Sequence, residues 1–200
     1  MTDGRPSGVE ILDRQSVYRG FFGLSILELR HALYRGGWSE PVRRELFHRG
    51  TCVGVLPFDR VRREVLLIEQ FRIGALDHRA RPWLTEIVAG AVEPGETPED
   101  VARREGWEEA GVRFQCLHRL GEFFTSPGGS SERVTLFVGE VDGPLQAGEY
   151  GRLEEQEDIR AQVVPLDEAL DWLAAGDIDS LMPALTLMWL KDQILSGKFG

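Results

Sequence analysis

The stretch TPEDVARREGWEEAG, residues 97–111, leaves the chain less freedom than any other. Thr97 can cap a helix, Pro98 suits its first turn, and Glu99 and Asp100 face the positive end of its dipole. TPED reads as a capping box with Asp in place of Glu. Gly111 can close the helix in a left-handed turn. Both ends of one helix are therefore fixed. At about 100° per residue, Glu105, Glu108 and Glu109 share one face. Ala102, Gly106 and Ala110 form a stripe of small residues beside them.

Two carboxylates about 6 Å apart repel by roughly 0.7 kcal/mol in water and nearer 3 at an effective dielectric of 20. On an exposed helix that is a minor cost. By spacing alone a solvated acidic face is the commoner reading. The small stripe favours another. Small residues let a helix lie against a neighbouring backbone, which holds the carboxylates at a fixed distance. Hard cations such as Mg²⁺ use carboxylates held in that way, completed by substrate phosphates and water.

The flanking segments read mostly as strands. Residues 9–50 carry strand patterns, among them GLSILELRHAL and PVRRELFHRG around an RGGW turn. TCVGVLPFD and EVLLIEQFR suggest a hairpin across RVRR. WLTEIVAGAVEPGE begins as a strand and runs into a Gly/Pro loop. LHRLGEFFTSPGG and RVTLFVGEV are further strands. PLDEALDWLAAG and DSLMPALTLMWLKDQILSG are helical, with Pro183 tolerated in a first turn. Residues 141–158 form the one long polar connection.

Composition narrows the function. A net charge of −10 argues against broad nucleic-acid binding. No apolar run approaches the roughly 18 residues of a membrane span. The first residues lack the apolar core of a signal peptide, so a cytoplasmic location is expected. Cys52 and Cys116 stand apart, and His31, His48, His78 and His118 form no ligand pattern.

Residues 90–112, GAVEPGETPEDVARREGWEEAGV, resemble the Nudix box. Gly90, Glu96, Arg104, Glu105, Glu108, Glu109, Gly111 and Val112 fall on its pattern. Gly106 departs from it, standing where the family usually has an apolar side chain. YRGFF, VRRELFHRG, LIEQFRIGA, SPGGSSER and EEQEDIR extend the likeness to bacterial ADP-ribose pyrophosphatases, over nearly the whole chain.

The resemblance implies an α/β fold: a Nudix α/β/α sandwich with a mixed sheet, plus a small N-terminal antiparallel β-domain. Residues 1–50 would form that domain, for dimerisation and adenosine contacts, and residues 51–200 the catalytic domain. It implies a domain-swapped homodimer and Mg²⁺-dependent hydrolysis of ADP-ribose to AMP and ribose 5-phosphate, with Mn²⁺ or Zn²⁺ as other candidate ions. Glu105, Glu109, Glu157 and the Ala89 carbonyl would bind metal, with Glu108 assisting. Glu155 would be the general base, although Glu154 lies one residue away. Substrate contacts would come from Phe21, Phe22, Arg44, Glu45, Arg49, Arg72, Ala91, Ser126, Gly128 and Glu132. Gly90, Glu96, Arg104 and Gly111 would shape the box, with Glu96 and Arg104 as an ion pair.

Without the resemblance, EEQED is a solvated charge run, and Phe21 and Phe22 are core or interface residues. Two other functions also fit the family: a pyrophosphatase for another nucleoside diphosphate sugar such as GDP-mannose, and a non-catalytic nucleotide-binding sensor.

Overall fold

In the computed structural model, residues 6–78, 80–141, 143–152 and 156–199 are described. They divide into two units, Met1–Gly50 with Phe124–Arg133, and Thr51–Phe123 with Val134–Gly200.

The first unit is built on a three-stranded antiparallel sheet of β1 (Val9–Arg19), β2 (Gly23–His31) and β3 (Val42–His48). The segment 124–133 joins it through backbone bonds between Phe47 and Gly129 (2.8 Å) and between Ser131 and Phe47 (3.0 Å). This addition was not expected from the sequence, because it depends on pairing between segments distant along the chain.

The second unit holds an eight-stranded sheet. Its main path runs β10 (Gly148–Tyr150), β11 (Ile159–Pro165), β5 (Glu64–Phe71), β4 (Thr51–Asp59), β9 (Arg133–Val141) and β8 (Phe114–Phe124). The expected β4–β5 hairpin is paired only at its closing end, where Phe58 faces Val65 and Asp59 faces Glu64. Beyond that point the two strands take separate partners. β6 (Trp83–Glu86) pairs with β5, and β7 (Val88–Ala91) pairs with β4. This split brings Ala89 and Gly90 under the first helix.

Side chains alternate between two cores, as a sheet buried on both faces requires. Leu66 and Ile68 of β5 join Val53, Val55 and Val88, packed with Val101, Ala102 and Ala110 of α1 (Pro98–Ala110). Val65 and Leu67 face the other way, toward Leu166 and Ala169 of α2 (Leu166–Ala175) and Leu187 and Leu190 of α3 (Leu181–Leu195). The result is the expected α/β/α sandwich. Among the described residues no helix is long and apolar enough to cross a membrane.

Two strands were not among those expected. β10 lies inside the long polar connection, and at three residues it is too short to show a period. Its partner β11 does alternate, with Ile159 and Ala161 buried and Arg160 exposed. That alternation is the signal that would have found it.

Candidate active site

α1 begins as its sequence requires. The Thr97 hydroxyl accepts from the Asp100 N–H (3.2 Å), and the Asp100 carboxylate accepts from the Thr97 N–H (3.1 Å). The Thr97 hydroxyl, donating to the Asp100 carboxylate at 2.6 Å, and then the Thr97 N–H hold that carboxyl below its usual range. Gly111 ends the helix at φ 61°.

Between these ends, the small stripe turns inward and the carboxylates lie at the edge of β7. Glu109 is 4% exposed. Its one hydrogen bond among the described residues comes from the Ala89 N–H, at 2.9 Å. Burial pushes its pKa up to about 8, and the charges on Glu105 and Glu157 push in the same direction. Arg72 and the Ala89 bond oppose them. Glu105 is also raised, again chiefly by burial.

Gly90 makes this crowding possible, since a Cβ there would overlap the Glu105 carboxylate. A buried carboxylate among like charges costs free energy until a cation joins it. The donors are all oxygens, the set a hard divalent ion prefers. The residues present therefore fit such an ion.

Arg104 organises the rim. Its Nε and Nη2 donate to Glu96 (2.8 and 3.1 Å), and Nη2 also donates to the Ala91 carbonyl at 3.2 Å. Its Nη1 donates to Glu105 at 2.6 Å and to Glu108 at 3.4 Å. Glu96 accepts in addition from the Glu93 N–H, which fixes the loop before the helix. Glu108 thus shares the Arg104 Nη1 with Glu105. Among the described residues, no three His, Cys, Asp or Glu side chains already converge on one ion position.

Glu157 lies just before β11 and is near enough for its charge to act on both Glu105 and Glu109. Of the second acidic cluster, Glu157 is thus the residue brought near the carboxylate helix among those described. Glu155 and its neighbour Glu154 lie outside the described residues. Arg72 follows β5, and its Nε donates to Glu86 at 2.6 Å. Glu86 escaped the sequence reading because a single acidic residue in WLTEIVAG carries no pattern.

Within the first unit, a second set converges. Arg49 pairs with Glu132 and stacks over the Phe22 ring at 4.8 Å. Phe22 meets Phe21 and Phe47 edge-on, at 4.7 and 5.2 Å. Phe21 is 93% exposed. Thr125, not singled out from the sequence, donates to the other Glu132 oxygen at 2.8 Å. Glu45 lies opposite Ile26 on β2, and Arg44 donates to the Arg43 carbonyl at 2.9 Å. The Ser126 carbonyl accepts from Gly129 (3.2 Å) and Ser130 (2.9 Å). The Gly129 N–H is thus engaged within its own turn, and neither Gly128 nor Gly129 is crowded.

A NUDIX domain model matches residues 48–185. The ADP-ribose pyrophosphatase of Escherichia coli (strain K12) is 49% identical over 183 residues, covering 92% of this chain and 88% of that one. That of Haemophilus influenzae is 44% identical over 186 residues, covering 92% and 86%. The GDP-mannose pyrophosphatase of Cronobacter sakazakii is 35% identical over 150 residues, covering 74% and 78%. A solved structure described as an ADP compounds hydrolase shares the fold, with a TM-score of 0.69 at 23% identity over 94% of this chain and 96% of that one. The helix that the sequence singles out lies inside the matched domain, and the chain belongs to the Nudix hydrolase family.

Proposed function

We propose that this Nudix hydrolase cleaves the pyrophosphate linkage of ADP-ribose to AMP and ribose 5-phosphate, with Mg²⁺ as its ion and Mn²⁺ or Zn²⁺ as substitutes. The observation that carries the chemistry is Glu109, a carboxylate buried beside the charges of Glu105 and Glu157. Identity of 49% to the Escherichia coli ADP-ribose pyrophosphatase supports the substrate.

Glu105, Glu109, Glu157 and the Ala89 carbonyl would hold the ion. A bound divalent ion neutralises charge on the pyrophosphate and lowers the pKa of an attacking water. The protein's own groups do the rest. Arg104 holds Glu105 and ties the loop through Glu96. Arg72 offers a guanidinium to a phosphate, and Ala91 is a further proposed substrate contact. Glu155 is the proposed base. Phe21, Phe22, Arg44, Glu45 and Arg49 serve the adenosine half, since aromatic rings and guanidinium planes stack on a base. Ser126, Gly128 and Glu132 serve the phosphates and the terminal ribose.

The apolar side chains exposed along β1, including Val9, Ile11 and Val17, support an N-terminal homodimer contact. Among the described residues, no disulfide joins Cys52 or Cys116, which suits the cytoplasm. The acidic balance of the chain favours a small-molecule partner over nucleic acid.

Turnover of a panel of nucleoside diphosphate sugars with Mg²⁺, followed by product analysis, tests this reading. ADP-ribose should give the highest kcat/KM, with AMP and ribose 5-phosphate as products. Preference for GDP-mannose would move the substrate, and nucleotide binding without turnover would support the sensor.

A further inference from the structure

Arg72 is fixed at two points. Its N–H continues the ladder beyond β5 by donating to the Pro82 carbonyl at 2.8 Å. Among the described residues its side chain is held through Nε alone, by Glu86 at 2.6 Å. That geometry leaves the two terminal nitrogens of the guanidinium for another acceptor. The charge of Arg72 acts on buried Glu109, so the guanidinium lies within reach of the carboxylate site.

Glu86 is itself buried, at 7% exposure. A buried carboxylate needs its oxygens occupied. Arg72 takes Oε2, and the Ser180 hydroxyl donates to Oε1 at 3.3 Å. Ser180 stands at the N-cap of α3 with the extended backbone of a capping residue (φ −84°, ψ 142°), yet its side chain makes no capping bond. Serine is favoured at that position because it caps. Here its hydroxyl is turned to Glu86 instead.

We propose that Ser180 and Glu86 form a relay that fixes the Arg72 guanidinium for phosphate recognition, which makes Glu86 a positioning residue. The proposal rests on the reading of Arg72 as a phosphate contact. Fixing Nε sets the plane of the guanidinium and points its other edge outward, where a planar fork matches two phosphate oxygens. An untethered arginine would lose side-chain freedom each time substrate binds.

Steady-state kinetics with ADP-ribose and Mg²⁺ on Arg72→Ala, Glu86→Gln, the double variant and Ser180→Ala provide the test. Glu86→Gln should raise KM on the order of tenfold with a smaller change in kcat, as misplaced supporting shells do. It should add nothing in the Arg72→Ala background. Ser180→Ala should move KM in the same direction by less. An unchanged KM in Glu86→Gln, or a full penalty persisting without Arg72, overturns the relay alone. An unchanged KM in Arg72→Ala overturns the phosphate assignment and the relay with it. Melting curves report whether Glu86→Gln folds. If it does not, an unchanged KM in Ser180→Ala overturns the relay.

Discussion

Gly106→Ala sets two effects against each other at one atom. Alanine in a helix interior is favoured over glycine by about 1 kcal/mol, so an open site would become more stable. The site is closed. A Cβ on Gly106 would lie 2.9 Å from Cζ of Phe114 and 3.3 Å from Cγ2 of Val112, with Cε2 of Phe114 nearer still. Phe114 cannot retreat, because on its other side it fills the space left by Gly139, where a Cβ would lie 3.0 Å from its Cγ. The ring is 6% exposed and packs in the α1-side core. Overpacking of this kind costs about 1–3 kcal/mol. The net loss should be about 1 kcal/mol, a fall in Tm of about 2–4 °C for a chain of this size. α1 would have to move off the sheet, carrying Glu105 and Glu109, so turnover should fall too. Urea unfolding followed by circular dichroism measures the effect, in the wild-type and Phe114→Leu backgrounds. With the smaller side chain the penalty should vanish or reverse. Stabilisation in the wild-type background, or an equal penalty in both, refutes the reasoning.

Gly90→Ala should cut turnover while leaving the protein folded, because its Cβ would collide with the Glu105 carboxylate; normal kcat/KM would contradict this. Thr97→Ala removes half of the capping box and should cost about 1 kcal/mol by urea unfolding, with activity retained. Glu109 has a folded pKa pushed up to about 8 against an ordinary value of 4.5. Between these values the folded protein holds a proton that the unfolded chain releases. Stability in EDTA should therefore fall as pH rises from about 4.5 to about 8. Melting temperatures should show that slope in the wild type and a flatter one in Glu109→Gln; identical slopes would contradict the burial argument.

Much of the carboxylate helix was legible because its signals are local. The cap at Thr97, the stop at Gly111 and the shared face of Glu105, Glu108 and Glu109 follow from positions within fifteen residues. The purpose of Gly106 was not legible. It depends on Phe114, whose ring also fills the space beside Gly139 on the neighbouring strand β9. Glu86 was invisible for a similar reason, since its partners Arg72 and Ser180 meet it only through folding. Glu157 stood in an acidic run that reads as solvated until folding brings it, just before β11, near enough for its charge to act on Glu105 and Glu109. β10, which sequence reasoning did not find, is three residues long and exists through its ladder with β11.

The most direct test of the account is turnover of ADP-ribose by Glu109→Gln, with the fold checked by circular dichroism and melting. Glutamine keeps an acceptor for the Ala89 N–H and removes the buried charge. The supporting residues of metal sites are typically worth 10–100-fold, so loss of a ligand should lower kcat by more than about 100-fold in a folded protein. Near-normal turnover by folded Glu109→Gln would contradict the claim that the α1 carboxylates hold the catalytic ion.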